Sequence, residues 1–329
     1  MDLFTHVLLG YLLAFGVAGP NPTYLAAGAL AGGLPDADIL LFPLARRFPI
    51  LRHHGITHSI LGVTVVALVG GGLLAPRLAP GDPVVYVVVM ELAGLGHMAA
   101  DGFTHFSVPP LLPFSEARLE LDADRAVNFV TLVVSIGAFY LLLAVERGRV
   151  PFPVYLLTVY GLMAFYAAYF ALRLAARLWI GRRLRSYGPF DVPVPLTNPI
   201  DWLLLSEVRA AGRIRTTFAL YRFGRGLVGP VRSIDVPTEP DGGTGPVADA
   251  AAALARSYPI ARRASGLLDQ TYHFGEARSE ADGAWSATWY SLEVSAFGRA
   301  FGVRVRLAPD GRATTRRAWT VPAYRRPTA

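Results

Sequence analysis

The chain has 329 residues, 53% of them hydrophobic and 17% charged, with a formal net charge of +7 and no cysteine. Its mean hydropathy of +0.40 excludes an ordinary soluble protein of this length and fits an integral membrane protein with a polar extension. The missing cysteine excludes disulfides, thiolate metal sites and a cysteine nucleophile. The positive charge lies mostly in arginines flanking apolar segments, where it meets anionic lipid, so no nucleic-acid partner is expected.

About 20 apolar residues cross a bilayer core. Taken in chain order, the candidate spans are Leu3–Ala18, Tyr24–Phe42, Ser59–Ala75, Val84–Ala100, Ala126–Val145 and Phe152–Leu174. The opening Met-Asp-Leu-Phe-Thr-His lacks a basic region and an Ala-x-Ala cleavage site, so the first segment is expected to be a retained helix. Leu34-Pro35-Asp36-Ala37-Asp38 interrupts the second, which is therefore expected to be short or broken, with a polar end lining a cavity. Six spans put both termini and the loops Pro43–Thr57 and Asp101–Arg125 on one side, with Arg46, Arg47, Arg52, Arg118, Arg125, Arg177, Arg182, Arg183 and Arg185. The other side carries only Arg77, Arg147 and Arg149, so the first is expected to be cytoplasmic.

Beyond Leu184 the texture changes. Arg213–Arg222, Trp285–Phe297 and Phe301–Leu307 alternate apolar and polar residues as half-buried strands do. Pro237–Pro246 reads as a linker and Val247–Arg256 as a short helix. The expected architecture is an α-helical membrane domain of about six spans, residues 1–183, then a small β-rich α+β soluble domain, residues 184–329. That second domain is expected in the cytoplasm and is where a protein partner could bind.

Histidines and aspartates gather at one end of the spans. His6 lies a turn inside the first, Asp36 and Asp38 at the end of the second, and His53, His54 and His58 before the third. His97 and Asp101 close the fourth on a shared helix face, four residues apart. Every one falls at the same depth on the cytoplasmic side, which scattered core histidines would not do. Ionisable groups beside hydrocarbon are expensive unless they bind or react. Imidazole with carboxylate suits a divalent metal, zinc first, with manganese or iron as competitors. Gly55 offers a sharp turn that could aim His53 and His58 at one centre. His54, next to Arg52, could face solvent or hold a phosphate. Glu91 reads as a buried interhelix carboxyl group, and His105 as a reserve ligand.

The motifs Met1-Asp-Leu-Phe-Thr-His6, Leu34-Pro-Asp36-Ala-Asp38, His53-His-Gly-Ile-Thr-His58-Ser59, Gly96-His97-Met-Ala-Ala-Asp101 and Leu112-Pro-Phe-Ser115 occur in that order. This series resembles the membrane-bound metal-dependent hydrolase family, the YdjM-like proteins, in a longer form with a C-terminal soluble domain. The resemblance implies a divalent-metal site of His6, Asp36, His53, His58, His97 and Asp101. His54 departs from it, standing where an arginine is usual.

The expected function is that of a multi-pass inner-membrane hydrolase holding one or two metal ions at the cytoplasmic surface. It would cleave an ester or phosphoester of an amphiphilic, lipid-like substrate with metal-activated water. Asp38 or Asp36 would be the base, and Arg52 would hold a phosphate. The alternative is a metal-binding membrane scaffold or metal-handling protein without catalysis.

Overall fold

The computed structural model describes residues 1–41, 48–51, 53–79, 81–104, 107–125, 127–147, 149–196, 198–210, 213–237, 246–264, 273–296 and 299–320. Two compact units divide the chain, Met1–Arg177 and Leu178–Ala329.

The first unit is helical. α1 (Leu3–Ala18) begins where the Asp2 carboxylate accepts the Thr5 amide at 2.9 Å and its hydroxyl at 2.7 Å, satisfying an amide that a first turn leaves open. α2 (Pro22–Gly33) starts on an Asn21 cap with Pro22 in its first turn, where a missing amide costs nothing. Pro35 then has no amide to continue the ladder, and Pro35–Leu41 tightens into a 3-10 turn. The second apolar segment is therefore two short pieces.

α3 (Ile60–Leu78) is capped by Ser59, whose Oγ accepts the Gly62 amide at 3.1 Å; its middle, Ala67–Gly71, relaxes into a π turn. α4 (Pro83–Gly102) is capped by Asp82, α5 (Phe129–Glu146) by Asn128, and α6 runs Phe152–Tyr187. α3, α4 and α6 are long and apolar enough to cross a bilayer; α1 and Phe129–Val145 of α5 are apolar but shorter. Leu40, Val84, Leu157 and Leu172 are all largely exposed, as on a surface that meets lipid.

Inside, α1 and α2 touch backbone to backbone. A Cβ on Gly10 would lie 2.2 Å from the Gly28 carbonyl oxygen, and one on Gly32 would lie 2.5 Å from that of His6. Small residues permit this approach, which van der Waals packing rewards where no hydrophobic force acts between helices. Leu8, Leu12, Phe15, Tyr86, Met90 and Tyr166 fill the remaining core.

The second unit is β-rich. β1 (Val192–Pro195), β2 (Asp201–Ala210), β3 (Arg213–Arg222), β4 (Gly226–Leu227) and β5 (Arg232–Pro237) form one sheet, in which β4 and β5 both pair with β3. After α7 (Pro246–Ala264), the strands β6 (His273–Ser279), β7 (Trp285–Ala296), β8 (Arg299–Leu307) and β9 (Ala313–Thr320) form an antiparallel meander. Leu254 and Ala261 of α7 pack on Trp289, Val303 and Val305 of that sheet. The Trp289 indole donates to Ser257 at 2.8 Å, so the buried ring keeps its polar partner.

Candidate metal centre

The start of α1, the end of α2 with its 3-10 turn, the residues before α3 and the end of α4 supply one cluster. His97 and Asp101, one turn apart on α4, meet with Nε2 and Oδ2 separated by 3.3 Å. The Gly32 carbonyl lies in the last turn of α2, where carbonyls lack an intrahelical partner, and accepts from His97 Nδ1 at 2.7 Å. That bond puts a proton on Nδ1 and turns Nε2 inward, the orientation that metal-binding histidines require.

His58 is held in the same way. Asp38, itself buried, accepts from His53 Nδ1 at 2.7 Å and from the Thr57 hydroxyl at 2.6 Å, and lies 3.3 Å from His58 Nδ1. His58 Nε2 then lies 3.2 Å from His97 Nε2, 3.5 Å from Asp101 Oδ2 and 3.8 Å from Asp36 Oδ1. Asp36 Oδ1 is also 3.7 Å from His97 Nε2. Asp36, His58, His97 and Asp101 can thus hold a metal ion together, and a second group of His53, His54 and His58 overlaps it.

The donor spacing tests the fit. A tetrahedral site with arms of about 2.1 Å separates its donors by about 3.4 Å; the five separations that involve His58 or His97 run from 3.2 to 3.8 Å, and all four donors lie within 4.8 Å of one another. Asp101 Oδ2 is buried without a hydrogen-bond partner among the described residues, although a buried carboxylate oxygen ordinarily has one. Two imidazoles and two carboxylates are also the donor set of a divalent ion. The residues fit the group.

His6 approaches from the other side. Its Nε2 is 3.0 Å from Asp101 Oδ1 and its ring stacks on His97 with centroids 3.7 Å apart. The Met1 ammonium also lies against Asp101 Oδ1. His53 turns outward, 46% exposed. Arg52 and His105 lie outside the described residues, as do Arg46 and Arg47. The loop turns at two adjacent residues, His54 at φ 58° and Gly55 at φ −97°, ψ −137°.

Protonation follows burial and charge. Burial pushes the His54 imidazole down to about 3, which leaves it neutral at pH 7. Burial acts the same way on His58, but the carboxylates of Asp101, Asp36 and Asp38 outweigh it and push that imidazole up to about 10. The carboxylates thus favour positive charge at the centre of the cluster, which the imidazolium of His58 supplies here and a bound cation could replace.

One further polar network escapes the sequence reading. Asp124 accepts from Asn128 at 2.8 Å and from the Tyr169 hydroxyl at 2.8 Å, and pairs with Arg173 at 3.3 Å. This ties α6 to the start of α5, and Arg173 inside an apolar segment was its only visible signal. Glu91, expected to bond between helices, accepts from the Thr64 hydroxyl at 2.8 Å.

Residues 1–180 match the model of a family described as YdjM inner membrane protein. The chain belongs to the YdjM family. Every clustered residue, from His6 to Asp101, lies in the YdjM region, whereas the strands lie beyond it. No curated protein and no solved structure matches the chain.

Proposed function

We propose that the protein is a metal-dependent hydrolase of the inner membrane that cleaves an ester or phosphoester of a lipid-like substrate at the cytoplasmic surface. One observation supports this reading: two imidazole nitrogens and two carboxylate oxygens converge at metal-ligand spacing, and one of those oxygens has no hydrogen-bond partner among the described residues.

Asp36, His58, His97 and Asp101 would hold the ion, zinc being the first choice for this donor set. A bound divalent ion supplies Lewis acidity, which brings the ionisation of water towards neutral pH. Asp36 is the partly exposed member at 21%, so its second oxygen is placed to take the proton of an attacking water. Asp38 fixes His53 and His58 from behind, and His6 fixes Asp101. Arg52 would hold the phosphate or carboxylate of the substrate.

Six crossings are proposed, α2 with its 3-10 turn forming the short second one. They place the cluster and residues 184–329 on the arginine-rich, cytoplasmic side. An amphiphilic substrate follows from a site level with the headgroups, entered from the bilayer. The test is purified full-length protein assayed for metal content and for turnover of phosphoester and acyl-ester amphiphiles, beside Asp36→Asn. Stoichiometric metal with metal-dependent turnover that Asp36→Asn abolishes is the expected result. Stoichiometric metal with no turnover of either ester class would instead support a metal-binding scaffold.

A further inference from the structure

We propose that His54 is an additional ligand of the ion, a role that rests on the reading that Asp36, His58, His97 and Asp101 bind one. The hub of the argument is Asp101 Oδ2. Three imidazole nitrogens surround it: His97 Nε2 at 3.3 Å, His58 Nε2 at 3.5 Å and His54 Nε2 at 3.5 Å. His54 therefore stands towards this oxygen as the two proposed ligands do.

Neighbouring geometry separates His54 from His53. The His54 side chain is 12% exposed against 46% for His53, and His53 spends its Nδ1 on Asp38. The rings of His54 and His58 lie with centroids 4.6 Å apart, and both offer a ligand atom to the overlapping three-histidine group.

The backbone supplies an independent observation. A residue with a Cβ pays for a left-handed conformation that glycine adopts freely, and His54 holds φ 58°. Strain of this kind persists where the surroundings enforce it, commonly at functional sites. Here its result is an imidazole turned inward that would otherwise face solvent with His53.

The experiment titrates Co2+ alone into full-length protein, wild type beside His54→Gly and His53→Ala, and records affinity and the visible absorption of the bound ion. Glycine is chosen because it accepts φ 58° without strain, so His54→Gly should melt no lower than wild type in the absence of metal. Loss of an outer hydrogen-bonding partner weakens metal binding by about 10–100-fold. His54→Gly should exceed about 100-fold and shift the absorption bands, while His53→Ala stays below that bound with bands unmoved. A His54→Gly protein weakened by less than about 100-fold, with an unchanged spectrum, would overturn the proposal and leave the four-residue site standing. Wild type that binds no Co2+ would instead remove the reading on which it rests.

Discussion

Both units bury apolar cores, but the helical one also encloses a cluster of ionisable side chains. The helical unit encloses His6, His58, His97, Asp101 and Asp124 and exposes leucine and valine, whereas the β-rich unit encloses Trp202, Trp289 and Tyr290 and carries arginines on its strands. The same twenty side chains serve both because burial is measured against the solvent outside. In hydrocarbon, apolar surface gains nothing by hiding, and polar groups must find partners within the protein. In water, apolar burial supplies the main driving force. The interior of the helical unit is therefore free to be a chemical site, and that of the β-rich unit is a packed core.

Exchanging a key residue on each side should break this contrast cleanly. Trp289→Ala removes a fully buried ring and leaves Ser257 without its donor, a loss of about 3–5 kcal/mol. Limited proteolysis should then cut residues 184–329 readily while metal content stays at the wild-type level. Asp101→Asn should do the reverse, weakening metal binding more than about 100-fold, or about 3 kcal/mol, with the β-rich unit as protease-resistant as before. Metal loss in both variants would mean that the units do not hold their functions separately.

A smaller effect sharpens the comparison inside the helical unit. Gly32→Ala forces a Cβ to 2.5 Å from the His6 carbonyl oxygen, an overpacking that costs about 1–3 kcal/mol. Because Gly32 also holds His97, metal affinity should fall together with melting temperature; a fall in melting temperature alone would separate the helix contact from the site.

The smallest effect is a dependence on pH. Desolvation and the neighbouring Asp122 carboxylate push the Glu120 carboxyl up to about 8 from its ordinary 4.5. The folded chain then holds this proton more tightly than the unfolded chain, so the stabilisation is complete below pH 4.5 and is lost as pH rises through about 8. Glu120 is exposed, which keeps the effect under about 1 kcal/mol. Thermal melts across that window should fall less steeply for Glu120→Gln than for wild type; equal slopes would assign the titration elsewhere.

Much of the helical unit was legible because its signals are local. The bounds of α1 coincide with the apolar run Leu3–Ala18, and Pro35 announced the break after α2. The convergence of His58, His97, Asp36 and Asp101 was legible from depth alone, since segments of alternating direction bring such residues to one level. The positions of His53 and His54 were not, because which of two adjacent imidazoles points inward depends on one backbone angle that neither residue type dictates. β3 was legible because it alternates. β2 was not: Trp202, Leu203, Leu204 and Leu205 are all fully buried, and a strand covered on both faces loses its period of two. β1 hid behind Pro193 and Pro195, residues that ordinarily argue against a strand.

The acceptor that fixes His97 belongs to the main chain of α2, and every residue type carries the same oxygen. No substitution can delete it; it can only be carried out of reach by prising two helices apart. The orientation of that imidazole is consequently set by the bulk of residues that never touch a ligand, and whatever slides α2 along α1 becomes a control on the chemistry.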